Sequence, residues 1–351
     1  MDLPSSIHLA NSDIRRRLEE SEGRLSPYAA KSQLSRGRMR SEDLCPMRTE
    51  FQRDRDRIIH SKSFRRLMHK TQVFIAPAGD HYRTRLTHTL EVSQIARSIT
   101  RALNLNEDLT EAISLGHDLG HTPFGHMGED ILNELYPEGF RHNEQSLRVV
   151  DILENDGQGL NLTWEVRDGI LNHSKNWTDI LDENVGVAST LEGQICKIAD
   201  AVAYINHDID DAIRAGIIGG SDLPADIVRL LGSSNRDRIN SLIIDIVNFA
   251  LNTAAESGGT PQIGMSPVVR EAANKLRQFL LKRVYSVARD EAEQARETVR
   301  VLYQYFIRNA EKLPEEYRLV HGGIERSVVD YISGMTDRYA LETFHGICST
   351  P

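Results

Sequence analysis

Apolar residues in this chain recur at helical spacing almost wherever they recur at all. In RLTHTLEVSQIARSITRAL, Leu86, Leu90, Ile95, Ile99 and Leu103 fall on one broad face when each residue advances by about 100°. Leu109, Ile113 and Leu115 follow the same rule in LTEAISLG, as do Leu147, Val150, Ile152 and Leu153 further on. The alternation that a half-buried strand requires is scarce, and VFIAP at 73–77 is the best short candidate. A chain patterned in this way buries its apolar stripes by packing helix on helix. The expected fold is all-α, with at most a small β-hairpin near residues 72–83.

Breaks carrying Gly, Pro or Asp punctuate the helices at 76–80, 136–140, 216–224 and 256–267. They suggest an N-terminal segment over 1–40, a motif-bearing core over 41–215, and a helical C-terminal part over 216–351 packed on that core. The first of these is Ser- and Arg-rich with little apolar content, so mobility in the absence of a partner is expected. With 351 residues, 40% hydrophobic and 26% charged, the chain has material for a substantial core. No apolar run approaches the roughly 18 residues of a membrane helix. The opening residues lack the basic-then-apolar order of a secretory signal, so a cytoplasmic location without membrane contact is the expectation. Cys45, Cys196 and Cys348 form no CxxC pair, which argues against a disulfide framework or a thiolate zinc site and for small buried side chains. Net charge is −9, yet residues 36–70 hold eleven Lys/Arg against five Asp/Glu. That local inversion invites an anionic partner or else marks a solvated helix face. The overall acidity argues against general duplex binding.

The densest chemistry lies in HDLGHTPFGHMGED, where His117, His121 and His126 stand among Asp118, Glu129 and Asp130. Neighbours on a helix diverge by about 100°, so His117 and Asp118 can reach one ion only at a helix end or bend, which Gly116 and Gly120 permit. The dipeptide alone is a weak signal, because a polar helix terminus reads the same way. His88 in RLTH and Asp200 in KIADAVAYINHD strengthen it. Two imidazoles and two carboxylates drawn from separate helices suit a divalent ion with open positions, Mn2+, Fe2+ or Mg2+, and also admit Zn2+. His126 and Glu129, three residues apart after Pro123, share a helix face. A carboxylate bonded to an imidazole fixes its tautomer and raises its basicity, as proton transfer near neutral pH requires. The plainer alternative has Glu129 opening a surface helix beside a polar His126. Tyr204 and Asp208 follow Asp200 at steps of four and so project from one face.

The order H, then HD, then D resembles the HD-domain metal-dependent phosphohydrolases. Longer words are similar to the dGTPase-like deoxynucleoside triphosphate triphosphohydrolases: FRRLMHKTQVF, RTRLTHTLEV, GHDLGHTPFGHMGED, RHNEQSLRVVD, ILNHSK, ADAVAYINHDIDD and YISGMTDRYALETF, in order from about Arg48 to Phe344. Met68 stands where that family more often has Gln. The resemblance implies an HD-domain helical bundle with additional C-terminal helices, hydrolysing dGTP or several dNTPs to deoxynucleoside and inorganic triphosphate. It implies His88, His117, Asp118 and Asp200 as metal ligands and His126 with Glu129 as the proton-transfer pair. It further puts Gln72 at the sugar 3′-hydroxyl, Arg85, His121 and His142 near the phosphates, Tyr204 against the deoxyribose, and Asp208 by the sugar or the triphosphate network. From the residues alone, His142 equally suits a helix start. His173, Lys175, His207 and Asp211 are polar neighbours able to add contacts, and GMTDRY has no role derivable from the sequence. The resemblance also implies a homo-oligomer, tetramer or hexamer, with a second dNTP as activator at a subunit contact. Two other readings compete. One is an HD phosphohydrolase acting on a nucleoside monophosphate or cyclic nucleotide, which would share the four ligands. The other is a nucleotide-sensing or single-stranded nucleic-acid-binding module that uses the basic 36–70 segment.

Overall fold

The computed structural model describes residues 5–72, 83–174, 186–284, 289–318 and 322–349. Its longer helices run in the order α1 (Ser5–Glu22), α2 (Glu50–Ile59), α3 (Arg85–Ala102), α4 (Glu107–Gly116), α5 (His126–Leu135), α6 (His142–Arg148), α7 (Trp164–Leu171), α8 (Leu191–Arg214), α9 (Asn235–Ser257), α10 (Pro267–Arg283), α11 (Arg289–Arg308), α12 (Gly323–Ser333) and α13 (Asp337–Cys348). The described residues contain no sheet, only the isolated antiparallel bridges Arg38↔Thr163 and Thr71↔Thr84. The fold is all-α, as the periodicity requires. The hairpin expected near 72–83 falls almost wholly on 73–82, outside the described residues.

Three of the helices that carry the site, α3, α4 and α8, start on side chains able to accept from the free amides of a first turn. Thr84 and Thr87 cap α3 reciprocally, Asn106 accepts from the Leu109 N–H at the start of α4, and Thr190 accepts from Gly193 N–H at the start of α8. The buried stripe of α3 runs through His88, Val92, Ile95 and Ile99. Leu90, expected on that face, is 51% exposed; two residues from His88, it lies about 200° away around the helix. Three apolar clusters result. The largest joins α3 and α8 to α9 and α10 through Ile95, Ile99, Ile198, Ile205, Ile246 and Leu276. A second joins α2, α4 and α7 through Phe51, Ile58, Ile113, Val166 and Ile170, and a third seats α5 on α11 and α12 through Ile131, Leu132, Leu302, Phe306 and Ile332. Of the cysteines only Cys196 is buried, beside Ser114; Cys348 is exposed and Cys45 intermediate, so the expectation of three small core residues holds for one.

Polar struts tie the C-terminal helices to the core. Fully buried Asp330 on α12 accepts from Arg148 and Gln145 on α6, with Nη2–Oδ2 of Arg148 at 2.7 Å. Lys70 is buried too, and its Nζ donates to the carbonyls of His121 and Ser333. Burial, reinforced by nearby Arg66, lowers its pKa to about 7. Part of the charge of the basic 36–70 segment is neutralised by the chain itself: Arg38 pairs with Asp54 and Glu50, Arg48 with Asp56, Arg53 and Arg57 with Glu42, and Arg55 with Asp108 and Glu111. Arg36 stacks over Trp164 at 3.7 Å. The chain just before that segment is anchored to α1, where Glu22 accepts from the Ser32 N–H at 2.8 Å, and Glu22 also accepts from Asn106 at the start of α4 at 3.0 Å.

At Gly120 the chain leaving His117 and Asp118 passes close against α6, its N–H donating to Ser146 Oγ at 2.9 Å. A Cβ there would lie 2.2 Å from the Ser146 nitrogen and 2.4 Å from the Gln145 carbonyl carbon, both main-chain atoms. Gly120→Ala should therefore destabilise by at least the roughly 1–3 kcal/mol typical of overpacking. Gly220→Ala, with nothing within 4 Å, should stay within about 0.5 kcal/mol of the parent. Denaturant unfolding of the two variants side by side measures the difference.

Candidate active site

Packing of α3 on α8, with α4 ending against both, draws four side chains together. α4 stops at Gly116, so His117 is its C-cap and Asp118 lies beyond the helix, which frees the adjacent pair to converge. His88 Nε2 is 3.2 Å from Asp200 Oδ1, and His117 Nε2 is 3.5 Å from Asp118 Oδ1. The ring tautomers follow from the partners of the other nitrogens. His117 Nδ1 donates to the Ser114 carbonyl at 2.6 Å, leaving Nε2 as a lone pair, and that nitrogen is buried without a hydrogen-bond partner. Glu91 holds Nε2–H of His207, so His207 Nδ1 accepts from His88 Nδ1 at 3.2 Å. His88 Nε2 is then also a lone pair, and it faces a carboxylate. Burial lowers the His88 pKa to about 4, so no added proton relieves that contact at neutral pH. Burial works against ionisation of Asp118, but the electrostatic pull of its neighbours, His117 and Arg85 foremost, outweighs it and holds the carboxyl well below its usual range. Lone pairs and carboxylates that converge without a hydrogen between them fit a divalent cation, each imidazole being oriented by an acceptor behind it.

A second constellation stands beside the first. Phe124 and Gly125 turn the chain through positive φ, +60° and +59°, and deliver His126 as the first residue of α5. The turn needs glycine twice over, since a Cβ on residue 125 would come within 3.0 Å of Arg85 Nη2 and of the Gln72 carbonyl oxygen. Glu129 Oε2 is 3.1 Å from His126 Nδ1, and Glu129 Oε1 accepts from both the backbone N–H and Nδ1–H of His142 at 2.8 Å. Burial opposes the charge on Glu129, but His142 and His126 prevail and keep it ionised well below the usual range; Glu129 in turn raises His142 against burial. His121 stacks on His142 at 4.5 Å and is held neutral by burial and by Arg85.

Both constellations open on one cleft of about 600 Å³, lined by Gln72, Arg85, His88, Asp118, His121, His126, Glu129, His142, Asp200 and Tyr204 among others. Arg85 Nη1 is held by Asp118 at 2.7 Å, while its Nε and Nη2 are buried without partners, as is Gln72 Oε1. The unpaired Arg85 nitrogens are receptors for anionic oxygen, and the Gln72 oxygen is an acceptor for a hydroxyl. An HD-domain model matches residues 85–205, and a phosphohydrolase-associated-domain model matches residues 263–346. A deoxyguanosinetriphosphate triphosphohydrolase-like protein of Caldanaerobacter subterraneus subsp. tengcongensis is 58% identical over 333 residues, covering 93% of this chain and 94% of the relative. Relatives with the same printed name from Clostridium tetani and Desulfatibacillum aliphaticivorans are each 49% identical, over 342 and 346 residues, covering 95% of this chain and 96% and 97% of their own lengths. The chain belongs to the deoxyguanosinetriphosphate triphosphohydrolase-like family.

In this family member, the expected ligands and substrate contacts line the cleft except His117, buried just behind Asp118, and Asp208. Asp208 is fully buried in α8 and does not line it. Asp130 is solvated beside Arg296, 3.5 Å away, and Met68, half exposed, stands outside the cleft lining. Lys175 lies outside the described residues. Sequence reasoning had no role for GMTDRY, yet Asp337 within it is nearly buried and pins two loops of the site. Its Oδ1 accepts from the Phe124 N–H at 3.0 Å, at the turn that delivers His126, and its Oδ2 accepts from the Thr71 N–H at 2.9 Å, next to Gln72. The part of Glu91 and His207 in setting the His88 tautomer was likewise invisible, because one α3 residue and one α8 residue meet only after folding.

Asp337→Ala should release the Phe124–Gly125 turn and misplace His126, lowering phosphohydrolase turnover on the order of 100-fold. Asp337→Asn keeps an acceptor for Phe124 and should recover part of that loss. Steady-state kinetics of both variants, with metal content measured in parallel, checks this: the Ala variant is expected to retain its metal.

Proposed function

We propose that this protein hydrolyses deoxynucleoside triphosphates, dGTP or several dNTPs, to the deoxynucleoside and inorganic triphosphate. The observation that carries the reading is the opening of two constellations on one cleft, with unpaired Arg85 nitrogens and the Gln72 oxygen buried in its wall. The relatives' printed names support the substrate class. His88, His117, Asp118 and Asp200 would hold a divalent ion, Mn2+, Fe2+ or Mg2+, with Zn2+ also admitted by the donor set. Such an ion supplies polarisation of a phosphoryl oxygen and a water of lowered pKa.

The chain's own groups account for the remainder. Arg85, fixed by Asp118 through Nη1, turns its other nitrogens to phosphate oxygens and offsets charge that grows as the ester bond breaks. His121, held neutral, and His142, made more basic by Glu129, line the same wall beside that charge. His126, its Nδ1 held by Glu129, exchanges the proton at Nε2. Tyr204, 6.2 Å from the His126 ring, flanks the sugar, and Gln72 receives its 3′-hydroxyl. A homo-oligomer with an activating dNTP at a subunit contact belongs to the same reading. Pairing of Arg38, Arg48, Arg53, Arg55, Arg57 and Lys62 with acids of the chain itself weighs against the single-stranded nucleic-acid alternative.

Incubation with each dNTP and phosphorus NMR of the products tests the proposal. Release of inorganic triphosphate is expected, and stepwise orthophosphate release overturns it. His126→Ala should lower kcat by roughly 10²–10⁴-fold, the range of a lost acid–base group, with metal content unchanged.

A further inference from the structure

We propose that a pocket formed by Arg66, Tyr317, Tyr331, Met335, Thr336 and Tyr339 binds a small aromatic acid, one ring bearing a carboxylate or a phosphate group. The pocket shares no lining residue with the active-site cleft, and four of its residues belong to GMTDRY at 334–339, the word for which the sequence offered no role. Protons are in excess there. Arg66 Nη1 donates to the Tyr317 hydroxyl at 3.3 Å, which leaves the Tyr317 proton to be given elsewhere. The hydroxyls of Tyr331 and Tyr339 lie 2.9 Å apart and can place only one hydrogen between them, so whichever donates, the proton of the other is left over. Burial, with the Tyr339 hydroxyl beside it, pushes the Tyr331 phenol up and keeps it protonated at neutral pH. Among the described residues no acid lines the pocket, and Glu154 and Glu316 act on Arg66 only from beyond hydrogen-bond distance. Glu154 is taken by Ser63, and Glu316 lies 3.6 Å from Lys62. A half-buried guanidinium and two spare phenolic protons, with no carboxylate to receive them, fit an oxyanion.

The remaining surface asks for a flat apolar body. Tyr317 and Tyr331 are nearly buried, with ring centroids 5.2 Å apart, and Met335 is buried with them. Aromatic faces and a thioether suit a ring better than a hydrated chain. The space is about 300 Å³ against about 600 Å³ in the cleft, so its ligand is smaller than the nucleotide that the cleft has room for. Gly334 keeps it open: a Cβ there would lie 3.0 Å from Tyr317 Oη and 3.2 Å from Arg66 Nη1, although its φ of −75° suits any residue. Lys70 holds the Ser333 carbonyl, and Asp337 holds the Phe124 turn and Thr71, one tie on each side of Gly334–Thr336. A ligand braced against that segment therefore bears on the turn that delivers His126. This effect on turnover rests on the proposed function; the binding site does not.

Calorimetric titration of the full-length protein tests the pocket, with benzoate and phenylphosphonate as probes and with inorganic phosphate and phenol as the anion and the ring alone. Saturable binding of at least one ringed acid is expected, tighter than either half alone, and the tighter of the two acids identifies the oxyanion. Arg66→Gln and Gly334→Ala should each weaken it about 10- to 100-fold, as loss of a charge-assisted hydrogen bond implies. Excess dGTP should not displace it. No binding to the wild type at millimolar probe, displacement by dGTP, or unchanged affinity in Arg66→Gln overturns the proposal. Wild-type crystals soaked in the same probes are independent of how the variants fold: density for ring and acid at Arg66 supports the pocket, and density confined to the cleft overturns it. In dNTP hydrolysis the bound probe should change kcat and leave KM for the dNTP nearly unaltered. Binding with kcat unchanged overturns the coupling and leaves the pocket standing, whereas inactivity on every dNTP sinks the proposed function and leaves the titration to decide the pocket.

Discussion

Anchoring one nitrogen of an imidazole decides what the other nitrogen can do, and the cleft is organised by that constraint. Main-chain carbonyls of Ser114 and Ile170, the carboxylate of Glu129, and the ring of His207, itself held by Glu91, take up the outward nitrogens of His117, His173, His142 and His88. Each ring is thereby set in one tautomer and one orientation before any ligand arrives. The inward nitrogens are lone pairs in a buried space that also holds Asp118 and Asp200. Such a wall attracts cations, and with Arg85 set into it the adjoining surface attracts anionic oxygen.

Orientation of this quality depends on elements remote from the cleft. The α3–α8 interface is apolar along most of its length, with Ile95, Ile99, Ile198 and Ile205 in its core, and burial of such side chains contributes roughly 1.5–3 kcal/mol each. That interface holds His88 against Asp200. The C-terminal helices contribute differently, through the ties of Asp330, Lys70 and Asp337 to α6, to the His121 carbonyl and to the Phe124 turn. They supply no ligand to the proposed metal site, but they hold the loops that supply the proton-transfer pair.

Much of this was legible beforehand. Periodicity announced an all-α chain, and the words around His88, His117, Asp118 and Asp200 announced both the family and the residues that would meet. Periodicity misjudged Leu90, since a stripe drawn on sequence alone cannot tell which of two neighbouring faces meets another helix. Local charge counting over 36–70 pointed to an anionic partner, but the acids that neutralise those arginines include Asp108 and Glu111, some fifty residues away. Asp337 shows the same limit in another form. A short acid-bearing word at a helix start reads as a cap, and its two bonds to loops more than two hundred residues earlier have no local signature.

By itself the sequence determined the elements and the inventory. Helical spacing, threonine and asparagine caps, and the glycine at 125 are local properties, set by a few neighbouring residues and the geometry of the backbone. The types and order of the histidines and carboxylates are likewise written in the chain. Tertiary structure alone decided which nitrogen of each imidazole faces inward. The physical reason is that a tautomer is chosen by whatever acceptor lies behind the ring, and that acceptor arrives only when separate helices pack.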